Sequence, residues 1–356
     1  MINYNNRDFQ NSKIGKIPQD WTLVTLGSLL YVKGRIGWKG LNKSEFKEKG
    51  YLILNGNNIK NNKIYLENIG RISKERFDES PEIILKKNDI LMTKDGTIGK
   101  IAYVDNLLEP TTIASGLFLI RNKSEILLQK YLWYVFQSHY FKRFIKERVE
   151  GSVIPHLYQR DFEEFIISLP NIKEQVKISN ILELIDKKIE INSRINSLLE
   201  SISKLIFKKW FLDFNDIKKK NSENNSELIS RYIDILNGCA FKSKDYTEKG
   251  IFLLRTKNLK NGLTKRMHDD VFLPKSFLNT HKDYICEMHD YHLIMVGASL
   301  GERGMIFHQL PALRNQNMWC FRSKNKNLFS PLLVKFFVDE LLKKMIKTAS
   351  GSAREF

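Results

Sequence analysis

The sequence contains an internal duplication. FKEKGYLILNGNNIKNNKI near residue 50 and YTEKGIFLLRTKNLKNGLT near residue 250 share E-K-G at 48–50 and 248–250. Their Asn-Ile/Leu-Lys-Asn segments, at 58–61 and 258–261, are likewise 200 residues apart. Such ordered matches indicate repeated structural units, which constrain the fold more strongly than any local pattern. The chain is therefore predicted to be a tandem duplication of one domain.

The match continues through the rest of each copy. NDILMTKDGTIGKIAYV has a looser counterpart in HDYHLIMVGASLGERGMIF, GLFLIR aligns with NMWCFR, and E-G-S at 150–152 aligns with S-G-S at 350–352. In the first copy, short β-like runs alternate with Gly/Asn turns at 51–54, 90–92, 101–104 and 116–120. An amphipathic helix is predicted after them in each copy, at 127–149 and 331–349. Each copy is predicted to be an α+β domain.

A different kind of segment lies between the copies. Residues 171–214 contain neither Gly nor Pro, and at 1.5 Å per residue they predict a helix about 60 Å long. The heptad a positions are Ile178, Ile185, Asn192, Leu199 and Ile206, and the d positions are Ile181, Lys188, Ile195 and Ile202. An apolar seam that persists over four heptads is typical of a coiled coil, and a polar a residue such as Asn192 fixes its register. The alternative is an amphipathic helix that lies on its own domain.

The predicted fold class is α+β, with two strand-rich domains joined by a long helix of the coiled-coil type. The expected boundaries are 1–170 for the first domain and 171–215 for the helix. A polar linker at 216–227 precedes the second domain, 228–356.

Charge and composition indicate the class of partner. The formal net charge of +18 points to a polyanion, most commonly nucleic acid, although a proteome rich in Lys and Asn also produces such an excess. The cysteines (Cys239, Cys286 and Cys320) are three in number and widely separated, which predicts no disulfide framework. No 18-residue apolar run and no apolar signal core occur in the sequence. We expect a cytoplasmic protein that has no contact with membranes.

Two motifs resemble a phosphate-binding loop and a metal site, but each lacks residues that such a site requires. DGTIGK at 95–100 lacks the first Gly and the final Ser/Thr of a phosphate-binding loop, since Lys94 and Ile101 stand there. It reads instead as a turn between two strands. C-x-x-H-x-x-H at 286–292, with His281 nearby, lacks a paired C-x-x-C, and strand alternation would direct Cys286 and His289 to opposite faces. No metal is predicted.

Catalytic signatures are also missing from the sequence. It contains no P-D…E-x-K nuclease cluster, no Gly-rich turn for S-adenosylmethionine and no N-P-P-[YF] motif. Catalytic residues shared by both copies would stand out against their divergence, and none do. The chain is predicted to be a non-catalytic protein.

Four segments carry a family resemblance. They are IGKIPQDWTLVTLGSLL (14–30), GSVIPHLYQRDFEEFIISLP (151–170), the helix entry E-Q…I-x-x-I-L-x-x-I-D-x-x-I, and NGCAFKSKDYTEKGIFLLR (237–255). Together they resemble the specificity (S) subunit of type I restriction-modification systems, over nearly the whole chain. The resemblance implies two target recognition domains, each reading one half of a bipartite double-stranded DNA site, separated by a helical spacer.

The resemblance also implies partners. In the family, this subunit binds no cofactor; methyltransferase (modification) subunits carry S-adenosylmethionine, and restriction subunits that use ATP and Mg²⁺ join through them. The family has a second helical region after the second domain, whereas Phe356 falls near the equivalent of Pro155 and His156. We therefore expect a second domain truncated at its end and a second chain that pairs with the helical seam. The alternatives are a stand-alone, non-catalytic DNA-binding regulator and an inactive truncated subunit.

Loop residues able to contact phosphates or base edges are the candidate DNA-binding residues. In the first copy they are Lys33, Arg35, Lys39, Asn55, Asn57, Asn58, Lys60, Lys94, Thr97, Lys100, Ser152, His156, Gln159 and Arg160. In the second copy they are Lys242, Lys244, Arg255, Lys257, Asn258, Lys260, Ser299, Arg303, Arg314, Asn315, Gln316, Asn317, Ser352 and Arg354. Some of these positions are expected to build turns only, as Asn often does.

Overall fold

The computed structural model describes residues 8–36, 40–106, 109–149, 156–213, 228–297 and 299–349. The chain forms two compact units, Met1–Ser193 and Arg194–Phe356. Each unit contains one of the two strand-rich copies. The predicted α+β class, with a long helix between the copies, is confirmed.

The first unit is built on two small sheets. One has the strand order β10-β9-β12-β4 and is antiparallel throughout, and the other has the order β11-β5-β8 with β11 and β5 parallel. Its strands are β1 (Phe9–Ser12), β2 (Gly15–Pro18), β3 (Thr22–Thr25), β4 (Leu30–Gly34), β5 (Tyr51–Leu54), β6 (Ile59–Lys60), β7 (Lys63–Ile64), β8 (Gly70–Ile72), β9 (Ile90–Thr93), β10 (Ile101–Tyr103), β11 (Thr111–Ile113), β12 (Leu117–Asn122) and β13 (Ile166–Leu169). Its helices are α1 (Lys74–Asp78), α2 (Gln129–Gln137), α3 (His139–Val149) and α4 (Asp161–Glu164).

The second unit repeats this frame. Strands β14-β22-β19-β20 take the places of β4-β12-β9-β10, and β18-β15-β21 take those of β8-β5-β11. The larger sheet continues through β17 to β16. Its strands are β14 (Ile233–Asn237), β15 (Ile251–Leu254), β16 (Leu259–Lys260), β17 (Gly262–Thr264), β18 (Phe272–Leu273), β19 (Tyr291–Ile294), β20 (Arg303–Met305), β21 (Ala312–Arg314) and β22 (Met318–Ser323), and the helices beside them are α6 (Phe277–Thr280) and α7 (Pro331–Ala349).

A buried ion pair occupies the same place in both units. Arg121 donates through Nε and Nη2 to the two carboxylate oxygens of Asp89, at 2.6 and 2.8 Å. Arg322 makes the same pair of bonds to Asp290, at 2.8 and 2.7 Å. Both aspartates are buried. A two-point guanidinium–carboxylate contact offsets the cost of burying these charges, so the duplication extends from strand order to individual polar contacts.

The helix predicted at 127–149 is instead two helices, α2 and α3. Ser138 separates them in an extended conformation with ψ of 152°, and its hydroxyl accepts a hydrogen bond from Phe141 N at 3.1 Å. The serine therefore caps the second helix. The apolar periodicity of the sequence continues through Ser138, so it does not show that a new helix begins there. In the second unit, α7 is a single helix.

The long helix α5 spans Ile172–Phe207 and is followed by a π-helical turn at Lys208–Leu212. Its 36 residues correspond to about 54 Å, slightly less than expected. The helix entry is anchored in the first unit, because the Trp21 indole donates to Glu174 at 3.2 Å and the Gln175 amide bonds the backbone of Ile126, Leu128 and Pro170. The I-P-x-x-W and E-Q motifs therefore contact each other in the structure. No helix of the described residues is long and apolar enough to cross a membrane.

Asp339 joins α7 to the sheet of the second unit. Its carboxylate accepts hydrogen bonds from Tyr291 Oη (2.7 Å), Arg303 Nε (2.5 Å) and Lys335 Nζ (3.0 Å). Burial alone would raise the pKa of Asp339, but these donors together hold it below its ordinary value. The ionised carboxylate of Asp339 therefore stabilises the packing of α7 on this sheet.

Asp339→Asn is expected to lower the free energy of unfolding of the second unit at pH 7 by about 1.5–3 kcal/mol, the range for hydrogen bonds to a charged group. Because the folded pKa is depressed, this contribution is present above the unfolded pKa of about 3.9 and is lost as pH falls through the lower folded value. Thermal unfolding from pH 7 down to pH 3 should show the two proteins converging. A difference that stays constant with pH would contradict the assignment.

Candidate nucleic-acid interface

The turn between β9 and β10 is the centre of the candidate interface in the first unit. Thr93 Oγ1 donates to the carbonyl of Thr97 at 2.5 Å and accepts from Lys100 N at 2.9 Å. Gly96 and Gly99 have φ of 66° and 81°, a left-handed conformation that glycine adopts at little cost. DGTIGK is therefore a strand–turn–strand element, as predicted.

Residues 156–160 lie on one side of this turn. Leu157 N donates to the carbonyl of Lys94 at 3.0 Å, and the His156 imidazole contacts the Asp95 carboxylate. The predicted DNA-contacting segments 94–100 and 156–160 are thus brought together, although they are far apart in sequence.

Residues 55–60 also lie beside this turn. A β-carbon at Gly56 would sit 3.3 Å from the methyl group of Thr93, and Lys60 and Lys100 line a common open cleft with Asn61 and Asn62. Asn61 and Asn62 adopt positive φ in the β6–β7 hairpin, and the sequence argument did not include them. The two lysines give this cleft a positive charge that suits a phosphate backbone.

The first-unit candidates divide by exposure. The exposed side chains are Lys33, Asn57, Lys60, Thr97, Lys100, Gln159 and Arg160. The half-buried ones are Asn55, Lys94 and His156. Lys39 and Ser152 lie outside the described residues.

The second unit brings together the equivalent segments. Cys239 N donates to the carbonyl of Arg314 at 3.1 Å, and Met295 N to the carbonyl of Asn317 at 3.0 Å. Segments 237–244, 295–303 and 314–317 therefore meet. The exposed candidates are Lys242, Lys244, Lys260, Ser299 and Gln316, and the half-buried ones are Arg255, Lys257, Arg303, Asn315 and Asn317. Ser352 and Arg354 lie outside the described residues.

Two predicted arginines are corrected by the structure. Arg35 is buried and donates through Nε to the carbonyl of Ile113 at 3.1 Å. Arg314 is also buried and donates to the carbonyls of Asn237 (2.8 Å) and Ile285 (3.2 Å). Both guanidinium groups therefore lie in the interior and donate to backbone carbonyls there, which is not the position expected of a side chain that reads a base edge.

Asn58 and Asn258 are corrected in the same way. The Oδ1 atom of Asn58 accepts from Asn55 N, and its Nδ2 donates to the carbonyl of Tyr65, both at 3.0 Å. Asn258 makes the equivalent bonds to Arg255 N and the carbonyl of Lys265, also at 3.0 Å. Both asparagines are buried. They brace a turn in each unit, and their amide groups are used inside it.

Two further cations of the second unit carry local counter-ions. Lys257 pairs with the Asp269 carboxylate at 2.6 Å, and Arg303 pairs with Asp339 at 2.5 Å. Arg303 is therefore tied to α7 and is a weaker candidate for base reading than its position in the turn suggested.

The helical seam is exposed over most of its length. Ile181, Ile185, Asn192, Ile195, Leu199, Ile202 and Ile206 are exposed, whereas Ile178 is half-buried against the first core. The prediction that Ile178 pairs with a partner helix is corrected, because its own domain covers much of it. A second apolar row that the sequence argument missed lies beside the seam at heptad g positions: Leu184, Ile191, Leu198 and Leu205 are each exposed by 53–66%. Seven-residue spacing alone would have revealed it.

One group of residues has the composition of a metal site. Asp290, His292 and Cys320 are buried and offer ligand atoms within 4.8 Å of one another. Cys286 Sγ lies 3.7 Å from His292 Nε2. Burial raises the pKa of Cys286 to about 12 and lowers that of His292 to about 4. The C-x-x-H-x-x-H motif contains Cys286 and His292 but not Cys320, and its other histidine, His289, packs on Phe307.

Comparisons with known proteins agree with this geometry. The family model for the type I restriction modification DNA specificity domain matches residues 18–201. The chain is similar to the type I restriction enzyme MjaIX specificity subunit of Methanocaldococcus jannaschii, with 30% identity over 234 residues, 62% of this chain and 50% of that protein. It is also similar to the MjaVIII specificity subunit of the same organism, with 27% identity over 207 residues, 57% of this chain and 48% of that one. The chain thus spans about half the length of the curated relatives it matches.

A solved structure has the same fold. The crystal structure of a type I restriction-modification system S subunit from M. genitalium superposes with a TM-score of 0.53 at 18% identity, covering 98% of this chain and 82% of that one. The resemblance inferred from the sequence is confirmed: the chain belongs to the type I restriction-modification DNA specificity domain family.

Proposed function

We propose that the chain is the DNA-recognition subunit of a type I restriction-modification complex. Each strand-rich copy reads one half of a bipartite double-stranded site, and α5 acts as the spacer. The chain itself is non-catalytic. Methyltransferase subunits, which carry S-adenosylmethionine, dock on the helix, and restriction subunits that use ATP and Mg²⁺ join through them.

One observation carries this proposal. The same polar frame, including the Asp–Arg pair and the bracing asparagine, occurs in both units. The exposed side chains that the frame presents differ in charge at the central turn, where Lys100 corresponds to Glu302. A constant frame with variable loops is the arrangement expected of two readers of different sequences, because base contacts specify and phosphate contacts position.

The helix supports the docking part of the proposal. Its a, d and g rows form an apolar face wider than a two-helix seam requires. A face of this width on a hydrated helix is a marker of protein association. We propose that it receives helices of the methyltransferase subunits or of a second copy of this chain.

The proposal is tested by mapping modified bases in cells with and without this gene, together with a cognate methyltransferase subunit. A bipartite motif methylated only when the gene is present is the expected result. If the chain binds DNA but never changes methylation and never co-purifies with a methyltransferase subunit, a stand-alone regulator is favoured instead.

Lys60→Ala and Lys100→Ala are expected to weaken DNA binding to all sequences alike. Each phosphate contact removed should lower the slope of log K against log salt by about 0.9, and the double variant should lower it by about twice that. Titration of specific and random duplexes over a range of salt concentrations measures both effects. Lys74→Ala is the matched control, since Lys74 pairs with Asp78 on α1 and lies outside the converging segments. Equal slopes for the unaltered chain and all four variants would remove the cleft from the interface.

A further inference from the structure

Three buried positions in the second unit differ in kind from their counterparts in the first. Leu85, Leu91 and Leu119 lie in one apolar cluster of the first unit. Their structural equivalents are Cys286, His292 and Cys320. Each is 201 residues further along the chain.

Hydrogen bonds of the frame establish these equivalences. Leu91 lies opposite Leu119 in the β9–β12 ladder, as His292 lies opposite Cys320 in the β19–β22 ladder. The backbone N of residue 85 donates to the carbonyl of residue 111, and that of residue 286 to the carbonyl of residue 312, both at 2.9 Å. Three adjacent leucines of one core are thus replaced together by two thiols and an imidazole in the other.

The replacement is costly if nothing binds there. All three side chains are at most 3% exposed. His292 Nδ1 is buried and has no hydrogen-bond partner among the described residues, and Nε2 faces only a sulfur, Cys286 Sγ. A buried polar atom left unsatisfied costs about 1–3 kcal/mol. In native structures such an atom often marks a missing ion or water.

The geometry fits a thiophilic cation. Zinc bonds of about 2.3 Å to sulfur and about 2.0–2.1 Å to nitrogen place two such ligands about 3.6 Å apart in a tetrahedron. The Cys286 Sγ–His292 Nε2 distance is 3.7 Å. Cys320 and the Asp290 carboxylate offer ligand atoms within 4.8 Å of an imidazole nitrogen of His292 and of each other.

Asp290 also belongs to the Asp–Arg pair, and the first unit contains that pair without the thiols and the imidazole. Its counterpart, Asp89, makes the same paired bonds to an arginine beside three leucines. The carboxylate is therefore part of the repeated frame, and the two thiols and the imidazole are what the second unit adds.

We propose that Cys286, His292 and Cys320 bind one zinc-class divalent cation in the core of the second unit, with one oxygen of the Asp290 carboxylate, which also pairs with Arg322, as the fourth ligand. The ion would link the segment before β19 to strands β19 and β22. Binding would release the two thiol protons to solvent, since thiolates are the ligands. The site is structural, because its ligands are buried.

Metal binding is tested on the whole chain. Protein purified from zinc-supplemented cells should contain about one zinc per chain, the content of a closed four-ligand site. After removal of zinc under reducing conditions, titration with Co²⁺ should give thiolate-to-cobalt absorption in the near ultraviolet and the visible bands of a tetrahedral ion, saturating at one equivalent. Failure of the unaltered chain to bind either ion stoichiometrically overturns the proposal, whatever the variants do.

The three leucines of the first unit suggest the substitutions for a variant that lacks the site. Cys286→Leu/His292→Leu/Cys320→Leu restores the trio already present in the other core, so it is designed to fold. It should lose the bound zinc and the cobalt spectrum, and its thermal unfolding should become insensitive to a chelator that destabilises the unaltered chain. Cys239→Ser, which removes the third cysteine, should retain both ions. Equal metal content in the triple-leucine protein would place the ion elsewhere and refute the assignment.

Discussion

Replacing Leu184 and Leu198 by lysine is expected to abolish association through helix α5 at concentrations where the unaltered chain assembles. Each leucine is more than half exposed and stands in the apolar g row. Covering one leucine contributes about 1.5–3 kcal/mol, and two therefore correspond to at least about a 100-fold change in dissociation constant. A lysine ammonium forced into the same interface adds an unpaired charge.

Association is measured in two ways, because the partner of the face is either another chain of the same kind or a methyltransferase subunit. Sedimentation of the chain alone reports the first, and co-purification with the methyltransferase subunit reports the second. Ser197→Lys adds one lysine on the opposite, f-position face of the same helix and should leave both unchanged. Retention of both associations by the double-lysine protein would exclude this face as a docking surface.

Arg121→Met is expected to lower the free energy of unfolding of the first unit by about 3–5 kcal/mol, the effect of leaving one partner of a buried ion pair alone. Asp89 is 2% exposed and receives both of its guanidinium bonds from this one arginine. For a unit of this size the loss corresponds to a fall in melting temperature of about 10 °C.

The duplication provides the control for this experiment. Arg322→Met breaks the equivalent pair with Asp290 and should destabilise the second unit by a similar amount. Calorimetry resolves which transition moves. Arg121→Met combined with Asp89→Leu should recover most of the loss, because replacing both members of a buried pair with apolar groups is often nearly neutral. A melting temperature unchanged by Arg121→Met would show that the pair contributes no net stability.

Repetition made the architecture predictable from the sequence. The E-K-G and N-x-K-N matches lie at the ends of β5/β15 and β6/β16, so the strand order of one unit implies that of the other. The β9–β10 turn was predictable because a glycine-containing segment lies between two strand-like runs. The break at Ser138 did not, because a single capping hydroxyl competes with a continuous apolar periodicity.

Individual roles were less predictable, because a residue type does not reveal its burial. Arg35, Arg314, Asn58 and Asn258 have side chains suited to bases, yet they bond backbone groups in the interior. Cys286 and His292 belong to one C-x-x-H-x-x-H motif, whereas Cys320 comes from a separate strand, so local spacing does not show the three together. Alignment of the two copies would have identified Cys286, His292, Cys320 and Arg314, because their counterparts Leu85, Leu91, Leu119 and Ile113 are apolar core residues of the first unit.

The buried arginines also limit how genes for such proteins can recombine. Gly34 and Asn237 hold the same ladder position, opposite Phe118 and Trp319, so Arg35 corresponds to Gly238 and Arg314 to Ile113. The first unit supplies its arginine, Arg35, from the segment that follows β4. The second unit supplies its arginine, Arg314, from β21, the counterpart of β11. A crossover between these segments would yield a core with two arginines or a core with none. The two segments of each unit therefore depend on each other, and a hybrid that keeps one arginine per core must take both from the same copy.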